Sequence, residues 1–254
     1  MNAPFRLPGT PLDPANPINR GLVGFWPMWE GAGGKTLDIS GKNNHGTLTN
    51  GPLWSGGGLE LDDTDDYIAT PGVSIPAASD FTFALKILPR AWIGNNPGVW
   101  RAGSASTGTS FNIFQLTTGV PWIRWNAVDI LKPVSGYSVP LNEISSLVFT
   151  VGSASNVAFY SNGVLRHSAT HTTDTAAFTI NNIGWQNLVG ERVRGLYDYA
   201  RVWTRALSAL EAQQLYVNPN IGLWVPDTIR YYIPAAGGAD VRRKIIPAYM
   251  RFAA

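Results

Sequence analysis

The sequence contains no cysteine, few charged residues and no long apolar run. Without cysteine the chain forms no disulfide and no thiolate metal site. Charged residues make up 14% of the chain, and the formal net charge of +2 does not indicate a nucleic-acid-binding protein. No stretch approaches the roughly 18 apolar residues of a membrane-spanning helix, and the first residues lack the apolar core of a secretory signal. We therefore expect synthesis in the cytoplasm, with neither a membrane nor a nucleic acid as partner.

Turn-forming residues and tryptophan are abundant instead. The 254 residues include 27 glycines, 18 prolines and 10 tryptophans, a composition typical of a turn-rich β protein. In the segment FTFALKI, Phe81, Phe83 and Leu85 alternate with smaller or polar residues, as in a strand with one face in the core. Asn162 and Gly163 lie between two β-rich segments and predict a two-residue hairpin turn. Many short strands joined in this way predict an all-β fold, a two-sheet antiparallel jelly-roll sandwich.

One short helix is predicted near the end of this β-rich region. The segment SALEAQQLY begins with a capping box, in which Ser208 is the N-cap and Glu211 lies three residues later. Pro219 ends the helix because proline cannot continue it. We expect Leu210 and Leu215 to pack the helix on the sandwich as a lid.

The two ends of the chain differ from its middle. Residues 1–20 contain five prolines, which favours an extended arm on a surface, and residues 218–254 mix apolar and aromatic residues with further prolines. The predicted organisation is therefore an N-terminal arm over 1–20, a sandwich over 21–217 and a C-terminal arm over 218–254. Such arms can bury apolar surface on neighbouring subunits, which predicts a homo-oligomer or a larger assembly. The residues predicted to make these contacts are Phe5, Trp224, Tyr231, Tyr232, Arg242, Arg243, Lys244, Tyr249 and Phe252.

Residues 34–36, Gly-Lys-Thr, match the end of a phosphate-binding loop. Such a loop needs a first glycine five positions before the last one, where Trp29 stands, and it must open a helix. Turn-forming residues follow instead, so we do not expect a nucleotide site here.

Several segments resemble, in order, those of laminin-G-like domains in the concanavalin A-like lectin/glucanase superfamily. They are GLVGFWPMWEGAGGKTLDISGKNNHGTL, GLELDDTDDYIATP, FTFALKI, FYSNGVL and RGLYDYARVWTRALSALEAQQLY. The resemblance covers about residues 21–216. It implies a two-sheet jelly roll, in agreement with the strand pattern.

The resemblance also implies a structural calcium ion. The family's turn and its late strand often bind this ion, and their positions match Asp38, Gly41, Asn44 and Asp198 here. Calcium takes carboxylate, amide and carbonyl oxygens as ligands. Tyr199 stands where the family often has a second acid. The alternative is that Asp38 and Asn44 are turn residues that bond to their own backbone, and the sequence leaves both open.

No set of catalytic residues emerges from the sequence. The superfamily includes retaining glucanases, and Glu60, Asp62 and Asp65 resemble their acidic strand, but the second catalytic glutamate is absent. His167 and His171 lie in a strand segment, where four residues span roughly 13 Å, too far for one metal ion. We expect both histidines to face solvent. The sequence therefore predicts a protein that is not an enzyme.

Tryptophan provides the candidate for sugar binding. An exposed indole can stack on a sugar ring and donate its N–H, and Trp100, Trp122 and Trp125 lie in the middle of the chain. Trp122 and Trp125 are three residues apart and so point to opposite faces of a strand. The alternative is that these residues are core or interface residues.

The segment NPINRGLVGFWPMWEG and the segment RRKIIPAYMRFAA resemble those of laminin-G-like proteins encoded by tailed bacteriophages. This resemblance implies a virion protein, which needs no signal peptide because lysis releases it. We therefore predict a non-enzymatic virion structural protein, a capsid decoration or auxiliary head protein that binds the shell and sister subunits. The alternative is a carbohydrate-binding adhesin that recognises a glycan.

Overall fold

The computed structural model describes residues 11–94, 98–102, 111–115, 119–125, 128–131, 137–152, 156–171, 177–184 and 192–223. The strands are β1 (Leu22–Trp26), β2 (Lys35–Thr36), β3 (Gly46–Thr49), β4 (Leu53–Ser55), β5 (Gly58–Leu61), β6 (Tyr67–Ile75), β7 (Phe81–Ile93), β8 (Gly98–Ala102), β9 (Phe111–Gln115), β10 (Pro121–Trp125), β11 (Val128–Leu131), β12 (Ser145–Val151), β13 (Asn156–Ser161), β14 (Val164–Thr170), β15 (Phe178–Ile183) and β16 (Arg192–Trp203). A short 3-10 helix, Pro17–Asn19, precedes the strands, and helix α1, Ala209–Val217, follows them. Among the described residues, no helix has the length and apolar character needed to cross a membrane.

The strands form two antiparallel sheets that face each other. The first sheet runs β14-β13-β12-β7-β16-β1, and the second runs β11-β10-β9-β8-β15-β6-β3-β2. The sheets meet at β16, whose first residue forms a parallel bridge to β8 and whose residues 195–197 pair with β5. This arrangement confirms the predicted two-sheet sandwich. Residues 34–36 lead into strand β2 and do not open a helix.

Strand β7 shows why the first sheet is buried on both of its faces. Phe81, Phe83 and Leu85 point into the core between the sheets, as their alternation predicted. Thr82 and Ala84 point the other way and are also fully buried. The first sheet therefore carries a second hydrophobic core on its outer face.

The hairpin predicted at Asn162 and Gly163 is confirmed. These residues connect β13 to β14, with φ angles of +52° and +74° respectively. Both values lie in the left-handed region that a type I′ turn requires, which asparagine and glycine tolerate best.

The outer core is covered by elements from both ends of the described chain. Trp203 lies at its centre, fully buried, and its indole donates to the carbonyl of Ile18 over 2.6 Å. Helix α1 covers the same face of the sheet with Ala212 and Leu215. Residues 218–223 complete the cover, with Leu223 in the cluster. Both flanks of the sandwich thus belong to its hydrophobic packing.

Helix α1 has the predicted capping box, in which Ser208 and Glu211 each accept a bond from the other's backbone. The prediction that Leu210 packs the helix on the sandwich is wrong, because this side chain is 63% exposed. Leu215 does pack there, together with Ala212. These two residues are three apart and lie on one face, whereas Leu210 lies on the opposite side.

Residues 11–20 lie on the sandwich and contain a helical turn. Asn16 caps the turn, since its side chain accepts from the N–H of Ile18, and Pro17 is the first helical residue. Ile18 is only 2% exposed. This differs from the extended arm expected from the prolines, because proline fits the first position of a helical turn as well as an extended chain. Residues 1–10 and 224–254 lie outside the described residues.

Candidate functional site

The two flanks of the sandwich meet at what we call the terminal junction, formed by Leu12, Asp13, Asn19, Gly222 and Leu223. Leu12 and Leu223 form an antiparallel bridge, and the N–H of Asp13 donates to the carbonyl of Gly222 over 2.9 Å. The Asn19 amide donates to the carbonyls of Asp13 and Gly222, over 2.8 and 2.7 Å. Gly222 has a φ of +89°, and a Cβ there would collide with Asn19. Glycine is thus required at this position.

Arg201 fixes residues 218–223 by hydrogen bonds to their backbone. Its side chain is fully buried, and it donates to the carbonyl of Ile221 over 2.8 Å and to that of Pro219 over 2.6 Å. The guanidinium lies over the ring of Phe25, 3.8 Å from its centroid. These contacts give a buried cation both hydrogen-bond acceptors and an aromatic face.

Arg205 contacts the N-terminal flank of the sandwich. It donates to the carbonyl of Arg20 over 2.7 Å and forms an ion pair with Glu211 over 2.6 Å. Burial alone would raise the pKa of Glu211, but hydrogen bonds from Arg205 and Ser208 outweigh it, and the pKa is lowered. Arg205 therefore links residues 11–20 to helix α1 by polar contacts.

The sequence analysis missed these structural roles of Arg201 and Arg205. Arg201 lies in a strand, where a basic residue usually faces outward, so the sequence pattern does not indicate its burial. A signal did exist for the N-terminal turn, since Asn16 followed by Pro17 is a typical helix start. The predicted assembly residues, from Phe5 to Phe252, lie outside the described residues.

Asp38 lies in a tight turn after β2. Its carboxylate is buried, and Oδ1 accepts from the N–H groups of Phe25 and Ser40, both over 2.9 Å. Oδ2 accepts from the Ser40 hydroxyl over 2.8 Å and from the Asn44 N–H over 2.9 Å. Gly41 lies in the same turn, with a φ of +82°. Two donors on each oxygen occupy the lone pairs that a cation would need.

Two of the other predicted calcium ligands, Asp198 and Asn44, have side-chain contacts of their own. Asp198 forms an ion pair with Lys86, whose Nζ lies 2.6 Å from Oδ2. The side chain of Asn44 donates to the backbone of β1 over 3.0 Å. These contacts engage the carboxylates of Asp38 and Asp198, and calcium at Asp38, Gly41, Asn44 and Asp198 stays a prediction. They favour the turn role that the sequence left open.

A different group of acids could hold a metal ion. Asp62, Asp65 and Asp66, the acidic cluster, follow β5, and one carboxylate oxygen of each lies within 4.8 Å of the others. Burial raises the pKa of Asp66, and the charges of the other two aspartates also raise it. Burial alone would raise the pKa of Asp62 as well, but backbone N–H groups that donate to its carboxylate lower it. The cluster thus combines the buried carboxylate of Asp66 with the more exposed carboxylates of Asp62 and Asp65.

The tryptophans predicted to bind sugar lie on two strands of the second sheet that one other strand separates. Trp100 is on β8, and Trp122 and Trp125 are on β10, with β9 between the two strands. Trp122 is half-buried. For Trp100 and Trp125 the structure describes the backbone and not the side chain.

Two of the positions considered for catalysis or metal binding, Glu60 and His171, have partners in the structure. Glu60 forms a two-pronged ion pair with Arg90, which donates to Oε1 over 2.6 Å and to Oε2 over 3.3 Å. This contact raises the pKa of the Arg90 guanidinium. The expectation that both histidines face solvent is wrong for His171, which is 6% exposed and whose Nε2 lies 3.1 Å from the carbonyl of Gly152. The chain after β14 turns in against the end of β12 at this point.

With the two-sheet sandwich established, comparison with known families assigns the chain. A laminin-G model described as "Concanavalin A-like lectin/glucanases superfamily" matches residues 62–213. The chain belongs to this superfamily. The match covers more than half of the chain, from the acidic cluster to helix α1. No curated protein sequence matches this superfamily member significantly.

Several solved structures share the fold of this superfamily member. Domain 4 of an extracellular arabinanase from Geobacillus stearothermophilus, in complex with arabinotriose, aligns with a TM-score of 0.60 and 18% identity, over 77% of this chain and 98% of that domain. Trypanosoma rangeli sialidase in complex with sialic acid aligns with a TM-score of 0.57 and 16% identity, over 80% of this chain and 33% of the sialidase chain. The binding domain of botulinum neurotoxin serotype D aligns with a TM-score of 0.59 and 16% identity, over 85% of this chain and 58% of that domain. The chain thus spans about a third of the sialidase.

These structures contradict the prediction that the protein is not an enzyme. The same fold is part of an arabinanase and of sialidases. A missing glucanase glutamate therefore gives no ground for excluding catalysis, because the fold also occurs in enzymes with other activities. Identities of 15–18% show the shared fold and assign no reaction to this chain.

Proposed function

We propose that this superfamily member is a structural protein of a phage particle, a capsid decoration or auxiliary head protein. In this proposal the sandwich projects from the particle, and residues 1–10 and 224–254 attach it to the shell and to sister subunits. The resemblance of two segments to laminin-G-like phage proteins supports the virion context, and it makes the virion the proposed location. The aromatic and basic composition of residues 224–254 suits burial against another protein.

The observation that carries the proposal is the terminal junction. Leu12 and Leu223 pair directly, so residues 1–10 and 224–254 are joined to the sandwich at neighbouring points. Both segments therefore leave the sandwich on the same side, and in this proposal that side faces the shell while the rest of the sandwich projects from it. The junction itself is rigidly bonded, through Asn19 and the backbone of Gly222.

A particle-binding experiment tests this proposal. Virions of the phage that carries this sequence are banded on a density gradient and analysed by mass spectrometry for peptides of the chain. Purified full-length chain is then added to virions that lack it, beside a chain that ends at Leu223. We expect the full-length chain to co-sediment and the shortened chain to remain in the supernatant.

A matched control separates the contribution of the charged residues from that of the aromatic residues. A variant with Arg242, Arg243 and Lys244 replaced by glutamine keeps the aromatic residues of the segment but removes three charges. We expect it to bind with reduced salt sensitivity, because exposed ion pairs yield only about 0–1 kcal/mol each. Absence of the chain from banded virions, or equal co-sedimentation of the shortened chain, would contradict the proposal.

The second candidate is a carbohydrate-binding adhesin. The lectin-like sandwich itself favours it, since one structural neighbour is described in complex with arabinotriose and two others are binding domains of toxins. A glycan array with the full-length chain and the chain that ends at Leu223 distinguishes the candidates. Equal retention of both chains on a defined glycan supports the adhesin, whereas retention that depends on residues 224–254 does not.

For the metal prediction we propose calcium at the acidic cluster, because three carboxylates offer the oxygen ligands that calcium prefers. Metal analysis of the dialysed protein and its melting temperature with and without chelator test this. We expect Asp66→Asn to remove any calcium-dependent rise in melting temperature, and Asp38→Asn to leave that rise intact. No bound calcium and no effect of chelator would rule the site out.

A further inference from the structure

The outer side of helix α1 carries apolar residues that face solvent. Leu210 is 63% exposed and Val217 is 73% exposed, and Gln213 and Gln214, which lie between them, are exposed as well. These four residues stand at positions i, i+3, i+4 and i+7, so they form one stripe along the helix, which we call the helix stripe. The stripe lies on the side of α1 opposite to the face that packs on the sandwich.

The helix stripe carries no charge. Glu211 is the only charged residue of α1, and its carboxylate accepts from Arg205 and from the N–H of Ser208. A helix at a protein surface usually has charged and polar residues on its outer side, whereas charged residues are depleted at the centre of protein interfaces. The composition of the stripe is therefore typical of a contact surface.

A depression of about 210 Å³ lies at the C-terminal end of the helix stripe. Val217 and Ile221 give it apolar walls, and Gln213, Gln214 and Asn218 complete its lining. Apolar walls with side-chain amides suit a tyrosine, because the ring can be buried while the hydroxyl bonds to an amide. A charged side chain would find no ion-pair partner among these five residues.

The exposed apolar surface continues from the helix onto the hairpin of β13 and β14. A Cβ at Gly163 would lie 3.3 Å from the Cβ of Tyr216, so the turn of the hairpin packs directly against α1. Val164 and Leu165, the next two residues, are 51% and 50% exposed. Helix and hairpin together thus offer apolar surface to a chain segment several residues long.

The described part of the chain ends close to this surface. Ile221 lines the depression, and Leu223 is the last described residue. Residues 224–233, WVPDTIRYYI, come next and contain six apolar or aromatic residues, and their single aspartate and single arginine cancel in charge. This composition matches the uncharged stripe. Residues 241–251 are basic instead, and the stripe offers them no carboxylate.

The sequence of this segment predicts one apolar side. Val225 precedes Pro226, which favours an extended backbone. Alternate residues of an extended segment point to the same side, which places Ile229, Tyr231 and Ile233 together. Five extended residues span roughly 13 Å, and a helix of nine residues is also about 13 Å long. The apolar side of the segment therefore matches the helix stripe in length.

The reach of the segment favours the helix of a neighbouring copy. At roughly 3.3 Å per residue, Tyr231 lies about 26 Å along an extended chain from Leu223. Ile221, which lines the depression of the same copy, is only two residues before Leu223. An extended segment thus carries Tyr231 past its own depression.

We propose that the helix stripe of one copy binds residues 224–233 of a neighbouring copy, with Tyr231 in the depression. The inference rests on the proposed attachment of residues 224–254 to sister subunits, and it names the surface that receives them. Segment and stripe are different surfaces, so the contact is heterologous. Copies therefore join head to tail, into a ring or an open chain.

Sedimentation velocity of full-length variants tests each side of the contact. The stripe variant carries Leu210→Lys with Val217→Lys, and the segment variant carries Ile229→Ser with Tyr231→Ser. We expect each variant to associate at least about tenfold more weakly than the wild type. Unchanged melting temperatures show that both variants are folded.

Two matched controls accompany these variants. Leu53→Lys adds a lysine at a leucine of β4 that is 70% exposed and lies outside the stripe. Tyr232→Ser removes the tyrosine next to Tyr231, which points to the other side of an extended segment. We expect both controls to associate as the wild type does.

Mixing the stripe variant with the segment variant shows whether the contact joins two copies. The stripe variant keeps an intact segment and the segment variant keeps an intact stripe, so each pair can form one contact. We expect a heterodimer with one copy of each variant that grows no further, whereas the wild type forms larger assemblies. A contact within one copy would leave the mixture as weakly associated as the separate variants.

Three results would overturn this inference alone. These are wild-type association of the stripe variant, absence of a heterodimer from the mixture, and an equal loss of association in either matched control. The attachment to the particle is measured separately, by co-sedimentation of the full-length chain with virions. A wild-type chain that stays monomeric at every concentration would contradict both the attachment to sister subunits and this inference.

Discussion

At the scale of single residues, Arg201 shows how one buried charge can organise a chain segment. Its two terminal nitrogens donate to the carbonyls of Pro219 and Ile221, and its guanidinium lies over the ring of Phe25. Arginine suits this site better than lysine because its flat fork can serve two acceptors at once. The segment 218–223 therefore depends on this residue for its position.

Replacing Arg201 tests this role. In Arg201→Leu the carbonyls of Pro219 and Ile221 lose their donors, and we expect the free energy of unfolding to fall by about 2–4 kcal/mol. Arg201→Lys should lose less stability, since lysine keeps the charge and can donate to one of the two carbonyls. Urea unfolding of the three proteins measures the difference. A leucine variant as stable as the wild type would show that the two carbonyl contacts contribute nothing.

At the scale of secondary-structure elements, helix α1 is held by its N-terminus and by one face. The paired side chain of Glu211 serves both the capping box and the ion pair with Arg205. The pKa of Glu211 is lowered in the folded state, so its ionised side chain stabilises the fold. This contribution to the free energy of unfolding is fully present above the pKa that Glu211 has in the unfolded chain. That contribution is lost as the pH falls through the folded-state pKa.

The Glu211→Gln variant makes this pH dependence measurable. At pH 7 we expect it to be less stable than the wild type by about 0.5–2 kcal/mol, the usual range for a lost cap. At acidic pH, where Glu211 is protonated in the wild type, the two proteins should converge. The measurement is urea unfolding at several pH values. A difference that stays constant down to acidic pH would contradict the role assigned to the carboxylate.

The face of α1 gives a second test at this scale. Leu215 is fully buried in the outer core, so Leu215→Ala should cost about 2–5 kcal/mol. Leu210 is 63% exposed, so Leu210→Ala should change the stability by less than about 0.5 kcal/mol. Thermal unfolding of the two variants decides between the observed helix face and the predicted one, for which both changes would be costly.

The sequence predicted the elements whose signals are local. Asn162 and Gly163 specify the hairpin by themselves, and Ser208 with Glu211 specifies the helix start. The orientation of α1 was predicted wrongly for Leu210, because a helix of two and a half turns carries too few apolar positions to define one face. The burial of Arg201 was not predictable, since its partners are backbone carbonyls that carry no sequence signal.

At the scale of the whole molecule, the sandwich includes both of its flanks. Every residue of β12 is buried, which requires cover on both sides of the first sheet. The inner side faces the second sheet, and the outer side is covered by α1 with residues 11–20 and 218–223. Prolines at the ends indicated irregular structure in the sequence, but they did not show that Ile18 inserts into a core.

Two truncations that differ only in residues 218–223 test this organisation. A chain that ends at Leu223 keeps the outer core and should unfold at the same urea concentration as the full-length chain. A chain that ends at Val217 loses the Arg201 acceptors and the Leu223 side chain, so we expect a loss of about 2–4 kcal/mol. Equal stability of the two truncated chains would show that residues 218–223 are not part of the domain.

Residues 11–223 form one sandwich, and we propose that residues 224–254 link it to other subunits. Sedimentation velocity of the full-length chain beside the chain that ends at Leu223, over a range of concentrations, tests it most directly. The account predicts concentration-dependent association of the full-length chain and a folded monomer for the shortened one. A full-length chain that stays monomeric at every concentration, or a shortened chain that associates equally well, would contradict it.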